Sequence, residues 1–221
     1  NLVRNPKRTS GCAALAPDDA SAARALSTVE GKCREALAGF VYGADGVTFA
    51  QSVGEALAGR GETICCAESC TGGLATQLLT EVPGSSRWTK GAFVVYSNEL
   101  KQSALGVPDD LLRQHGAVSE PVARAMAEGA RRASGATWSP AITGIAGPDG
   151  GTPEKPVGTV WLGLAGPGGT RTKQSQFRGD RGQVRMLAAY GALQLVREAL
   201  GAPPLPRHFW EVGQGPSPGK A

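Results

Sequence analysis

Thr63-Ile-Cys-Cys-Ala-Glu68-Ser69-Cys70-Thr71-Gly72-Gly73-Leu74 is the stretch that decides the fold. Thr63–Ala67 is a short apolar run, and at that length it reads as a buried strand. It breaks at a polar, glycine-rich turn over 68–73. Leu74, Leu78, Leu79 and Val82 then recur at helical spacing. The unit is strand, glycine-rich turn, helix. Repeated, it builds an α/β sheet that collects ligands beyond the carboxyl ends of its strands.

Downstream, Gly91–Tyr96 reads as a second strand. Asn98–Leu105 and Asp109–Gln114 read as short helices, and Ser119 with Pro121 opens a longer helix that stops near Gly135. Thr137–Thr143 is a third strand. Gly158–Ala165 and Thr170–Phe177 flank a Gly-Pro-Gly-Gly turn, the pattern of an antiparallel hairpin. A last helix runs from Arg181 to about Leu200. Upstream, Asp18 and Asp19 cap a helix to about Ala38, with Gly39 as its stop and Gly31 as an interruption. Thr48 caps another helix over Phe49–Ala58. Residues 1–20, with Pro6, Gly11 and Pro17, read as irregular, and the proline- and glycine-rich tail reads as flexible. Strands alternate with helices, but one pair forms a hairpin. The expected fold is therefore α/β: a three-layer α/β/α sandwich with a mixed sheet.

Composition narrows the function classes. Of 221 residues 41% are apolar, enough for a sizeable core, which excludes disorder throughout. The net charge of +4 is too weak for a nucleic-acid binder, so none is expected. No run approaches the ~20 apolar residues of a membrane helix, and no membrane partner is expected. The chain starts at Asn1 without the apolar run of a signal peptide, which reads as a fragment of a longer chain. Five cysteines, three of them at 65, 66 and 70, fit reduced thiols of a cytoplasmic protein. With two histidines, His115 and His208, and no Cys-x-x-Cys pair, no metal site is expected.

Four segments can carry chemistry. Glu68–Gly73 precedes a helix N-terminus, where free N–H groups favour an anion or a developing oxyanion. Ser69 is a candidate nucleophile with Cys70 as its rival; the plain alternative is that Ser69 and Thr71 only cap the helix. Val94–Lys101 places Asn98 as an N-cap and Lys101 one turn into a helix, a poor place for a cation. A Lys kept neutral there can take the proton of a Ser hydroxyl; otherwise it is an exposed surface Lys. Thr143–Gly151 is a mobile turn or a substrate cradle, with Asp149 a turn residue first. Arg181 opens the last helix behind Asp180 and suits a phosphate or carboxylate, or a nearby acidic side chain.

Together these segments match a known family. Ala67–Gly73, Val95-Tyr-Ser-Asn-Glu with Lys101, His115–Pro121, Thr143–Gly151, Lys155–Val160 and Gly179–Arg181 occur in order. Over about residues 48–200 the chain closely resembles the CinA C-terminal domain, the family of nicotinamide-nucleotide amidases. Residues 28–47 then look like the linker upstream of this domain in two-domain members of the family, while residues 1–27 and the tail match nothing in it; 1–47 is read as an upstream linker or remnant of an N-terminal domain and 201–221 as a flexible tail. The resemblance implies hydrolysis of the carboxamide of nicotinamide mononucleotide to nicotinate mononucleotide and ammonia, with no metal or cofactor. It implies Ser69 as nucleophile and Lys101 as general base, and it places Tyr96 around the active site, where hydrogen bonding to order the Ser–Lys pair is the expected role. Thr71, Gly72, Gly73, Ser86, Thr143, Gly144 and Arg181 match positions around the substrate. Backbone N–H groups near Thr71–Gly73 are the expected oxyanion donors. The partner expected is the mononucleotide, with a homo-oligomer left open. The alternative is a non-catalytic nucleotide-binding module of a two-domain protein.

Overall fold

A computed structural model describes residues 15–37 and 40–203. The readings of residues 1–14, of Ala38 and Gly39, and of the tail from 204 onward lie outside the described residues. The chain forms α1 (Asp19–Leu37), α2 (Phe49–Ala58), β1 (Ile64–Glu68), α3 (Leu74–Thr80) and, after a short 3-10 turn (Ser85–Arg87), β2 (Thr89–Val94). There follow α4 (Asn98–Leu105), α5 (Asp109–His115), α6 (Glu120–Ser134), β3 (Ser139–Gly144), the hairpin β4 (Thr159–Gly166) and β5 (Gly169–Gln176), and α7 (Arg181–Ala199). α1 runs unbroken through Gly31 and buries none of its side chains.

The five strands make one mixed sheet in the order β2-β1-β3-β4-β5. β1 pairs in parallel with β2 and β3, with Glu68 beside Val94 on one side and Ile142 on the other. β4 runs antiparallel to β3 and to β5. The carboxyl ends of β1, β2 and β3 therefore share one edge with the start of β4 and the end of β5. β1 and β3 are buried along almost their whole length, as strands covered on both faces must be.

Helices α2, α3 and α7 cover one face, around Val53, Leu57, Leu79, Trp88, Phe177 and Leu193. α4, α5 and α6 cover the other, around Leu105, Leu112, Val122 and Met126. This is the three-layer α/β/α sandwich with a mixed sheet. The chain leaves β1 towards α3 on one face and β2 towards α4 on the other. The strand order reverses between β1 and β3, which opens a crevice at their carboxyl ends. Among the described residues no helix is long and apolar enough to cross a membrane.

Candidate active site

β1 ends at Glu68, and Ser69 turns out of the strand while its N–H still bonds the Ile142 carbonyl of β3 at 2.9 Å. The Glu68 carboxylate is fully buried. It accepts from the N–H groups of Gly73, Ala75 and Thr76 at 3.0, 3.1 and 2.9 Å, and from the Thr76 hydroxyl at 2.7 Å. These are the orphan donors of the first turn of α3. The chain can double back to meet them because Gly72 and Gly73 sit at φ of +61° and +98°, which other L residues rarely adopt. Capping of α3 by Ser69 or Thr71 is thereby corrected: the N-cap position is Gly73, without a side-chain bond, and Glu68 supplies the acceptor. The Ser69 side chain is left for the crevice. The Thr71 hydroxyl is buried with no partner among the described residues, and the Thr71 carbonyl accepts from Arg185 of α7 at 2.7 Å.

A cavity of about 200 Å³ opens at this edge. The β1 turn contributes Ser69 and Cys70, the β2–α4 connection Tyr96, the first turn of α4 Asn98 and Lys101, the end of β3 Thr143 and Gly144, and the start of α7 Arg181. Lys101 is 1% exposed. Its Nζ donates to the Tyr96 carbonyl at 3.0 Å and makes a longer contact with the Ser97 carbonyl at 3.5 Å. Among the described residues no carboxylate forms an ion pair with it. Burial pulls its pKa below the ordinary lysine value, against the smaller pull of Cys70 and Glu99. Cys70 sits alongside, and burial pushes its thiol up to about 12. A thiol held there stays protonated at neutral pH.

The Tyr96 ring is 61% exposed at the rim. Its hydroxyl accepts from Arg181 at 3.3 Å, and a second guanidinium nitrogen of Arg181 donates to the Gly147 carbonyl at 2.7 Å. The Tyr96 contact with Lys101 thus runs through the main chain, while its phenol orders Arg181. Thr143 is buried and donates to the Ala117 carbonyl at 2.7 Å, tying β3 to the α5–α6 connection. Gly144 forms wall: a Cβ there would lie 2.6 Å from Val160 and 3.0 Å from the Thr159 carbonyl. The loop after β3 is anchored by Lys155, which donates to the His115 carbonyl at 2.7 Å.

Not every expected residue reaches the cavity. Ser86 is exposed on the 3-10 turn ahead of β2, at the opposite end of the sheet, because only the carboxyl end of β2 faces the crevice. Gly72 and Gly73 shape the turn but do not line the cavity. Their N–H groups bond the Ser69 carbonyl at 3.1 Å and Glu68, so neither is free for an oxyanion. Among the described residues the amides of Cys70 and Thr71 bond no other residue, and of the two residues Cys70 lines the cavity. Asn98 lines the cavity but was expected only as an N-cap. Ser97 holds that position, its hydroxyl accepting from the Leu100 N–H at 3.2 Å. Two capping residues in tandem are the signal that the cap could lie one residue earlier.

These features define an α/β sandwich whose carboxyl-edge crevice holds a serine and a buried lysine without a carboxylate. The chain belongs to the CinA C-terminal domain family, whose profile matches residues 47–200. It is 52% identical over 197 residues to a putative competence-damage inducible protein of Symbiobacterium thermophilum, covering 85% of this chain and 46% of that one. It is 62% identical over 144 residues to a CinA-like protein of Anaeromyxobacter dehalogenans, covering 65% and 35%. The chain thus spans less than half the length of these curated relatives. The crystal structure of the competence/damage inducible protein CihA from Agrobacterium tumefaciens superposes with a TM-score of 0.67 at 38% identity, covering 69% of this chain and 93% of that one.

Proposed function

We propose that this chain is a Ser–Lys amidase that hydrolyses the carboxamide of nicotinamide mononucleotide to nicotinate mononucleotide and ammonia. The observation that carries the reading is Lys101, a buried amine without a carboxylate partner, lining one cavity with Ser69. In its neutral form Lys101 takes the Ser69 hydroxyl proton as Oγ attacks the amide carbon. The oxyanion meets the amides of Cys70 and Thr71. Lys101 passes the proton to the nitrogen as the C–N bond breaks and ammonia leaves. Water, deprotonated by Lys101, then attacks the acyl carbon and Ser69 departs with that proton.

At about 200 Å³ the cavity is below the roughly 300–1,000 Å³ typical of pockets that enclose a drug-sized ligand. It suits the pyridine carboxamide, with ribose and phosphate at the rim beside Tyr96 and Arg181. Arg181 is the guanidinium at that rim and is the phosphate or carboxylate partner in this reading.

The test is ammonia release from nicotinamide mononucleotide, NAD and free nicotinamide. Release from the mononucleotide alone, lost in Ser69→Ala and in Lys101→Ala, is the expected result. Saturable binding of the mononucleotide without ammonia would instead mark a non-catalytic nucleotide module.

A further inference from the structure

We propose that Glu68 is a positioning residue for the Ser69 nucleophile, an inference that rests on the amidase reading. A glycine-rich turn ahead of a helix is ordinarily an anion site, because the first helical N–H groups point outward without partners. Here that site is already filled from within the chain. The Glu68 carboxylate takes the N–H groups of Gly73, Ala75 and Thr76 and the Thr76 hydroxyl, four donors for one buried charge.

Two consequences follow for the residue next to it. First, substrate phosphate and the oxyanion are both excluded from the α3 N-terminus, because a buried carboxylate repels anions at short range and leaves those donors no capacity. The oxyanion is left with the Cys70 and Thr71 amides, which lie between Ser69 and the capped turn. Secondly, Ser69 is clamped on both sides. Its N–H is held by the Ile142 carbonyl, and its carbonyl accepts from Gly72, whose neighbour Gly73 is held by Glu68. The Arg185 bond to the Thr71 carbonyl closes the same turn from α7. The Glu68 carboxylate does not itself line the cavity; its bonds go to the α3 turn and none to Lys101, so its effect on the reacting groups passes through the geometry of Ser69.

The clean substitution is Glu68→Gln, which keeps the length of the side chain. Its amide oxygen still accepts, but its NH₂ group faces donors and loosens the turn. A positioning role predicts that kcat for mononucleotide hydrolysis falls by about tenfold or more while KM stays within about twofold, since misaligned reacting groups cost turnover rather than binding. Thr76→Val removes one of the four bonds from the α3 side. It should give a smaller fall in kcat in a folded protein, and it carries the same test if Glu68→Gln fails to fold. Unchanged kcat with a lowered melting temperature would reduce Glu68 to a helix cap and overturn the proposal, as would a raised KM with kcat intact.

A second probe separates this from failure of the amidase reading. A fluorophosphonate forms a Ser69 Oγ–P bond, fluoride leaves, and Lys101 takes the hydroxyl proton; no nucleotide is involved. If the native chain labels on Ser69 but releases no ammonia, the substrate reading falls. The Glu68 proposal then stands or falls on whether Glu68→Gln slows labelling by about tenfold. A Ser69 that reacts with neither reagent overturns both.

Discussion

The Lys101 Nζ lies 3.0 Å from the carbonyl oxygen of Tyr96, buried, and this main-chain contact stands where an ion pair would be expected. A carbonyl dipole holds an ammonium less firmly than a carboxylate does, and desolvation opposes the charge further. The folded chain therefore gives up the Lys101 proton at lower pH than the unfolded chain does. Between those two pH values the unfolded chain binds more protons, so stability rises with pH there. Below the folded value both forms are protonated and the cost of burying the cation is present in full. Lys101→Met should abolish ammonia release yet raise stability at pH 7 by about 1 kcal/mol, or about 2–4 °C. Its advantage over the native chain should shrink as the pH approaches 10. Parallel melts at pH 7 and 10 test this, and a lower melting temperature for Lys101→Met at pH 7 would contradict it.

The same titration governs turnover. Only neutral Lys101 accepts the Ser69 proton, so ammonia release should rise with pH along a limb set by Lys101, below the ordinary lysine range. Lys101→Arg, which stays charged, should be inactive across that whole range. A flat pH–rate profile would remove Lys101 from the reaction.

Cys70 provides a control at the neighbouring position. With its thiol pushed up to about 12, about one molecule in ten thousand carries the thiolate at pH 8. Cys70→Ala should therefore keep activity within about threefold, and iodoacetamide should not inactivate the native chain, whereas Ser69→Ala should lose about a thousandfold or more. Mass spectrometry of the treated protein reports which thiol, if any, reacts.

The strand–turn–helix unit was legible in the local pattern, and Ser69 and Lys101 come to line one cavity because both follow neighbouring parallel strands, which carry their carboxyl ends to one edge; their pairing as nucleophile and base was implied only by the family resemblance. Strand and helix bounds came out within a residue or two, since alternation of apolar runs with Gly and Asp signals marks them. Three features were not legible, each for a physical reason. Glu68 caps a helix five to eight residues ahead of itself, which takes two successive left-handed glycines; a local reading sees only Ser and Thr before a helix. Arg181 meets Gly147 and Tyr96, partners 34 and 85 residues away, through the closing of the sheet. Ser86, expected near the substrate from the family resemblance, lies ahead of β2 at the end of the strand away from the crevice, because a matched position does not state which end of a strand it occupies.

Arg181 should govern substrate affinity more than turnover. Its fork is oriented by the Gly147 carbonyl and the Tyr96 hydroxyl, and a lysine ammonium cannot satisfy both while meeting an oxyanion. Arg181→Lys and Arg181→Ala should both raise KM for nicotinamide mononucleotide by about tenfold, with kcat much less changed. Tyr96→Phe should raise it by a few-fold, about the worth of one orienting hydrogen bond. If Arg181 meets the phosphate, KM for nicotinamide riboside, which lacks that phosphate, should be nearly indifferent to Arg181→Ala. An equal loss with both substrates would move Arg181 away from the phosphate.

Gly129 couples the stability of the sandwich to the position of Lys101. α6 crosses the end of α4 so closely that a Cβ on Gly129 would stand 2.0 Å from the Leu105 carbonyl oxygen and 2.9 Å from its carbonyl carbon. Both are main-chain atoms, so no rotamer relieves the clash and α4 itself must move. Lys101 sits one turn earlier on α4, and its carbonyl accepts from the Gly106 and Val107 amides that end the helix. Displacing Leu105 therefore displaces the amine in the cavity. Gly129→Ala should cost about 1–3 kcal/mol, seen as a melting temperature lowered by about 2–10 °C. It should also lower kcat by as much as about a hundredfold, because a shift near 1 Å at a reacting group has that effect. Gly31→Ala in α1 is the matched control: nothing lies within 4 Å of a Cβ there, so turnover should not change. Loss of stability in Gly129→Ala with native kcat would mean that α4 accommodates the methyl group without carrying Lys101 along.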